Sequence, residues 1–135
     1  MDMVCIYCTG KTKVANSRAS KRTPGTWRRR QCLDCQAIFT SRENADLSQT
    51  HAVQYADSSL QPFSRENLFI SVYESCKYRK TALEDATALT DTIIMALLSG
   101  SRDGTILTAN IKATTHDILV KFDSVAATYY GAYYS

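Results

Sequence analysis

The chain has 135 residues, 44% of them hydrophobic and 21% charged, with a formal net charge of +3. That is the length of one ordinary domain or two small modules and the composition of a globular protein, which excludes collagen-like, coiled-coil and largely disordered chains. No run approaches the roughly 18 apolar residues of a membrane span, and the opening Met-Asp-Met-Val-Cys-Ile-Tyr-Cys is not a basic-then-apolar export signal, so the expectation is a soluble, cytoplasmic protein without a membrane partner.

The net charge hides an asymmetry. From Val4 to Arg42 nine basic residues (Lys11, Lys13, Arg18, Lys21, Arg22, Arg28, Arg29, Arg30 and Arg42) face a single acid, Asp34, a local charge of +8. From Glu43 onward seven basic residues face eleven acids, a charge of −4. A basic module joined to an acidic one points to an anionic partner for the first, most often nucleic acid; the alternative is a well-solvated surface.

Four of the five cysteines form two identical pairs, Cys5-Ile-Tyr-Cys8 and Cys32-Leu-Asp-Cys35, with 23 residues between them. Each CxxC turn supplies two thiolates from one knuckle, and two knuckles close a tetrahedral zinc shell with no open position, so the expected Zn²⁺ is structural. Two disulfides would need an oxidising compartment. A redox CxxC would be expected beside a βαβ pattern, which is missing.

Between and after the knuckles the sequence reads as three short strands, over 12–20, 27–31 and 37–40. Thr23-Pro24-Gly25-Thr26 supplies a turn before the second. Trp27 and Phe39 are the expected packing residues over the metal. In a strand Arg28 and Arg30 share one face and Arg29 the other. With Lys13, Arg18 and Arg42 they form the candidate DNA-binding set, at least two of the three consecutive arginines meeting nucleic acid; the alternative is that one of them neutralises the thiolates.

Residues 44–50 are polar and aperiodic and read as a linker between a module at 1–43 and a domain at 51–135. Ala52–Tyr55 and Ser59–Phe63 suggest a β-hairpin around Ala56-Asp57-Ser58. Helices follow. Ser64 is the expected N-cap of the first, with Leu68, Phe69, Val72, Tyr73 and Cys76 at helical spacing, which makes Cys76 a core residue. Thr81-Ala82-Leu83-Glu84 fits a capping box for a second helix bearing Ala86, Leu89, Ile93 and Leu97, ended by Gly100 and a polar turn at 101–104. Ile111, Thr115, Ile118 and Phe122 suggest a third, and Val125, Ala126 and four tyrosines a fourth. Tyr129, Tyr130, Tyr133 and Tyr134 carry more apolar area than one small domain easily covers, so an oligomer interface is expected there in preference to packing on the same domain.

Nothing reads as catalytic. The chain has no nucleophile elbow and no recognisable carboxylate pair, and its five glycines leave little room for a phosphate-binding loop.

Taken together, the motifs resemble a known family. Thr12-Lys13-Val14-Ala15-Asn16-Ser17-Arg18, Arg28-Arg29-Arg30-Gln31-Cys32-Leu33-Asp34-Cys35 and Phe39-Thr40-Ser41-Arg42-Glu43 resemble the zinc ribbon of NrdR-type repressors of bacterial ribonucleotide reductase genes. Gln61-Pro62-Phe63-Ser64-Arg65-Glu66-Asn67-Leu68, Ser75-Cys76 with Arg79, and Val125-Ala126 with Tyr130 and Tyr134 are similar to landmarks of the ATP-cone domain that follows it. The resemblance implies an α+β protein: a small three-stranded zinc ribbon, then a cone of a β-hairpin plus a four-helix bundle. It also implies a homo-oligomeric, non-enzymatic repressor that binds paired operator boxes in double-stranded DNA, with ATP or dATP setting its assembly.

By the same resemblance, nucleotide contacts fall at Val53, Tyr55, Gln61, Arg65, Asn67 and Arg79. The family's Val-x-Lys-Arg-Asp-Gly opening is here Val53-Gln54-Tyr55-Ala56-Asp57-Ser58, and Gln61 and Asn67 stand at a Glu and a Lys of the family. Charge-assisted contacts to a triphosphate are thereby lost, so weak or absent ATP and dATP affinity is expected unless Arg65, Arg79, Lys77 or Lys80 compensate. The alternative is a zinc-ribbon adapter for RNA or protein with a degenerate cone.

Overall fold

A computed structural model describes residues 3–20 and 23–134; Lys21 and Arg22 of the basic segment lie outside them. The chain divides into two compact units, Met1–Ala45 and Asp46–Ser135.

The first unit is an antiparallel sheet of β1 (Thr12–Ala19), β2 (Gly25–Cys32) and β3 (Ile38–Asn44), in the order β1-β2-β3. Gly25 starts β2 two residues before the expected Trp27. A Cβ there would meet the exposed Asn44 side chain and come within 3.0 Å of the Glu43 carbonyl oxygen, so glycine allows the close approach without displacing either. The β1–β2 register shifts between Val14 and Asn16, a bulge that keeps the alternation of faces in step on either side of Ala15. Phe39 packs with Cys5 and Cys32, all three less than 9% exposed.

Trp27 does not join them. Cys32 lies an odd number of residues further along the same strand, and a pleated strand sends such side chains to opposite faces. The expected packing pair over the metal is therefore Phe39 alone.

In the second unit the expected linker holds a one-turn helix, α1 (Leu47–Thr50), capped by the Asp46 carboxylate, which accepts from the Ser48 amide at 3.1 Å. Leu47 packs against the core, which gives this polar stretch its order. Strands β4 (Ala52–Gln54) and β5 (Leu60–Pro62) form the hairpin, and β6 (Thr105–Leu107) adds to β4 in parallel.

Helices α2 (Arg65–Cys76), α3 (Ala82–Ser99), α4 (Thr108–Phe122) and α5 (Ser124–Tyr134) complete the unit. Their inward faces bury Val72, Cys76, Ala86, Ile93, Leu119 and Ala126 completely. Ser64 caps α2, its hydroxyl accepting from the Asn67 amide at 3.1 Å.

The capping box at Thr81 is not formed: α3 has no side-chain cap bond, and the Thr81 hydroxyl donates to Asp85 at 2.7 Å. Asp85 is engaged by Arg79 as well, whose Nε and Nη1 donate to Asp85 and Asp123 at 2.9 Å each. The Arg79 guanidinium also lies 4.6 Å from the Phe122 ring centroid. One charged side chain thus ties the α2–α3 turn to the α4–α5 junction through charge-assisted bonds.

Candidate metal centre and nucleic-acid interface

The two CxxC knuckles are built alike. Each begins with a cysteine amide donating to the carbonyl five residues on (Cys5 to Gly10 at 2.8 Å, Cys32 to Ala37 at 2.9 Å). Each then turns through a left-handed residue directly after its second cysteine, Thr9 at φ 63° and Gln36 at φ 64°. Amides point at the sulfurs, Tyr7 N–H at Cys5 Sγ and the Asp34 and Cys35 N–H groups at Cys32 Sγ, all at 3.3 Å.

The two knuckles bring four Sγ atoms within 4.8 Å of one another. Cys5 and Cys35 are 3.7 Å apart and Cys8 and Cys32 3.4 Å, and none is in a disulfide. A tetrahedral Zn–S shell with bonds of about 2.3 Å needs sulfurs about 3.8 Å apart, so the site fits Zn²⁺. Held by all four thiolates, the ion has no position left for substrate, and its role is structural.

The cluster is electrostatically uneven. The Cys35 amide donates to Cys32 and, against the cost of burial, holds that thiol down at about 7. At Cys8 the Gly10 amide acts in the same sense, but hydrogen bonding to the thiols of Cys32 and Cys35 pushes it up to about 12. Four thiols this close cannot all ionise without a cation among them, so metal binding must release protons.

All six candidate DNA-binding residues lie on the sheet or at its end, on two faces. Arg28 and Arg30 lie on the metal-bearing face and are half-buried. Arg28 meets Glu43 at 3.8 Å, and Arg30 donates to Ser41 at 3.0 Å and to Thr12 at 3.4 Å. Lys13, Arg18, Arg29 and Arg42 are exposed and belong to the opposite face by register, where Trp27 pairs with Arg18 and Arg42 and Arg29 with Asn16 and Thr40.

In the second unit, β4, β5, α2, α4 and α5 line an open cavity of about 220 Å³. Of the six expected nucleotide contacts, Val53, Tyr55, Gln61 and Asn67 line it. Arg65 and Arg79 do not: Arg65 pairs with Asp91 on α3, and Arg79 is held by Asp85 and Asp123. Among the described residues the one charged group on the wall is Lys112 of α4, which the sequence reading missed because nothing near it in sequence marks a site. A triphosphate is best held by charge-assisted bonds, and the described wall residues offer one cation for them.

The four tyrosines do not form one surface. Helical periodicity sends Tyr130 into the core, 3% exposed, and stacks Tyr134 on it at 5.4 Å on the cavity wall. Tyr129 and Tyr133 meet in a tilted pair with ring centroids 4.5 Å apart on the outer side, and Tyr133 is 70% exposed. An outward-facing role for Tyr130 is thereby corrected: the face of α5 that carries Ala126 and Ala127 carries Tyr130 too.

Comparison with known proteins agrees with this arrangement. A family model described as "Transcriptional repressor NrdR-like, N-terminal domain" matches residues 3–43. A protein of Symbiobacterium thermophilum named "Transcriptional repressor NrdR" is 30% identical over 132 residues, covering 98% of this chain and 87% of its own length. Proteins of the same name from Opitutus terrae and Nitrosospira multiformis are each 31% identical over 98% of this chain, covering 86% and 82% of their own lengths.

Proposed function

As the chain belongs to the family of NrdR-type transcriptional repressors, we propose that it represses transcription by binding double-stranded DNA through its zinc ribbon. The observation that carries this reading is a basic ribbon closed around four thiolates. The metal fixes the sheet, and the sheet presents cations at strand spacing to phosphates and base edges. The proposed domain limits are those of the sequence reading, a ribbon at 1–43 and a regulatory domain from residue 51.

The regulatory domain supplies assembly. Tyr129 and Tyr133 form the outward aromatic pair of α5 and are the proposed contact with a second copy. Two linked ribbons gain affinity for paired operator boxes because the second contact becomes intramolecular. A nucleotide could control this only by binding one assembly better than another. With Lys112 the only charged residue on the cavity wall among those described, triphosphate control is weak or lost, and the cone acts as an assembly scaffold.

Selection from random duplex DNA tests the reading: an enriched, two-box motif bound with steep salt dependence is expected. Failure to enrich any motif would favour the adapter for RNA or protein. Calorimetric titration with dATP is expected to give no tight, stoichiometric binding; a stoichiometric, tight isotherm would refute the scaffold.

A further inference from the structure

The two faces of the ribbon sheet differ in charge and in engagement, and we infer that duplex DNA docks on the face that carries Trp27, the one turned away from the metal. This inference rests on the DNA-binding reading above and assigns the surface that performs it. The sequence directs attention to Arg28-Arg29-Arg30 as one strip; the register separates its members.

On the Trp27 face, Lys13, Asn16 and Arg18 of β1 stand beside Gln31, Arg29 and Trp27 of β2, which in turn stand beside Ile38, Thr40 and Arg42 of β3. Among these strand residues there are four cations and no acid. Lys13, Arg18 and Arg42 make no ion pair or side-chain hydrogen bond among the described residues. The contacts of Arg29 are the Trp27 ring, 6.0 Å from its guanidinium carbon, and the Thr40 hydroxyl at 3.5 Å.

The opposite face is occupied. Cys32 and Phe39 are buried there with Cys5, and Arg28 lies 3.8 Å from the Glu43 carboxylate. Arg30 reaches outward over both neighbouring strands, to Thr12 on β1 and Ser41 on β3. Arg30 bonds across the sheet and Arg28 lies beside an acid; Lys13, Arg18 and Arg42, without such contacts among the described residues, are the cations left to meet an anion.

The dimensions suit a duplex. Neighbouring strands are roughly 4.8 Å apart, so Lys13 and Arg18 of β1 stand roughly 10 Å from the strand that carries Arg42, β3. Long guanidinium side chains on that spacing reach phosphates on the two sides of a groove, since the grooves of B-DNA are about 6 and 12 Å wide. Trp27 and Arg29, on the central strand between these outer cations, face into the groove. An indole that is only half-buried, outside the hydrophobic cluster and flanked by three arginines has an apolar surface suited to sugars and base edges.

Trp27 is the only tryptophan of the chain, so the zinc-loaded full-length protein reports on this face without a label. Binding of a selected duplex, followed by anisotropy of labelled DNA, is expected to change the tryptophan emission in step. Arg18→Gln and Arg42→Gln are each expected to lower the slope of log affinity against log salt by about 0.9, one phosphate contact apiece. Arg28→Gln is expected to change it less. Trp27→Ala should lower affinity for the selected sequence and leave the slope in place, with zinc stoichiometry measured to establish that each ribbon is folded.

DNA binding with unchanged tryptophan emission overturns the face assignment and leaves the repressor reading intact. So does a larger loss of slope in Arg28→Gln than in Arg18→Gln and Arg42→Gln. Absence of any duplex binding by the unmodified protein at low salt instead refutes the DNA reading, and the face with it.

Discussion

Removing the metal should unfold one unit of this protein and spare the other. In the first unit the buried hydrophobic side chains are Cys5, Cys32 and Phe39, and only Phe39 is large. Its burial contributes about 2–3 kcal/mol, far less than ordering three strands and two knuckles costs. Structural zinc in small modules supplies about 10–16 kcal/mol, so the ribbon's folding free energy is essentially that of its metal.

The second unit needs no such help. Its core joins Val72, Ile93, Leu119 and Tyr130 from four helices and Val53 and Ile106 from the small sheet. The structure also separates the optical probes. The single tryptophan lies in β2, and α1–α5 all follow residue 46. A zinc chelator is therefore expected to shift Trp27 emission to that of a solvated indole while far-UV helical ellipticity is largely retained. Zinc should restore the emission. Loss of ellipticity in parallel with the tryptophan signal, or an unchanged tryptophan signal after metal loss has been verified by elemental analysis, would refute the reasoning.

Two further perturbations probe the second unit. Ile93 is fully buried, so Ile93→Ala should cost about 2–5 kcal/mol, read as a lower denaturant midpoint of the helical signal with zinc content unchanged. Asp85 is held below its ordinary 3.8 by Arg79 and then Thr81, and Asp123 is lowered by the Tyr78 hydroxyl, the Val125 amide and Arg79. Because folded values lie below unfolded ones, this stabilisation is complete above the unfolded values, near pH 4, and is lost as pH falls through the folded ones. Arg79→Met should lower Tm at neutral pH and flatten the acid side of the Tm–pH curve; an unchanged acid limb would show that the clamp carries no such linkage.

Some of this was legible because the controlling interactions are local. The Ser64 cap, the core position of Cys76 and the inward stripe of α3 follow from periodicity and one hydrogen bond. The helical turn at Leu47–Thr50 was not legible in the polar stretch 44–50 because its order comes from Leu47 meeting a core built elsewhere. The Thr81 cap failed because Asp85, already drawn to Arg79, takes the hydroxyl. Strand β6 escaped notice because three residues carry no readable alternation, and its partner β4 lies some fifty residues earlier.

The sequence by itself determined the metal centre and the charge of its module. A CxxC pair closes its own turn, so spacing alone brings two sulfurs together, and net charge survives any folding. Which cations face outward was not decided there. That depends on where β1 and β3 fall against β2, and the pairing of Trp27 with Arg18 and Arg42 is a property of register. Likewise, Arg79 became a clamp and Lys112 a cavity residue only when four helices packed. Tertiary structure made those assignments because a long-range contact depends on both partners' surroundings, and no spacing along the chain encodes it.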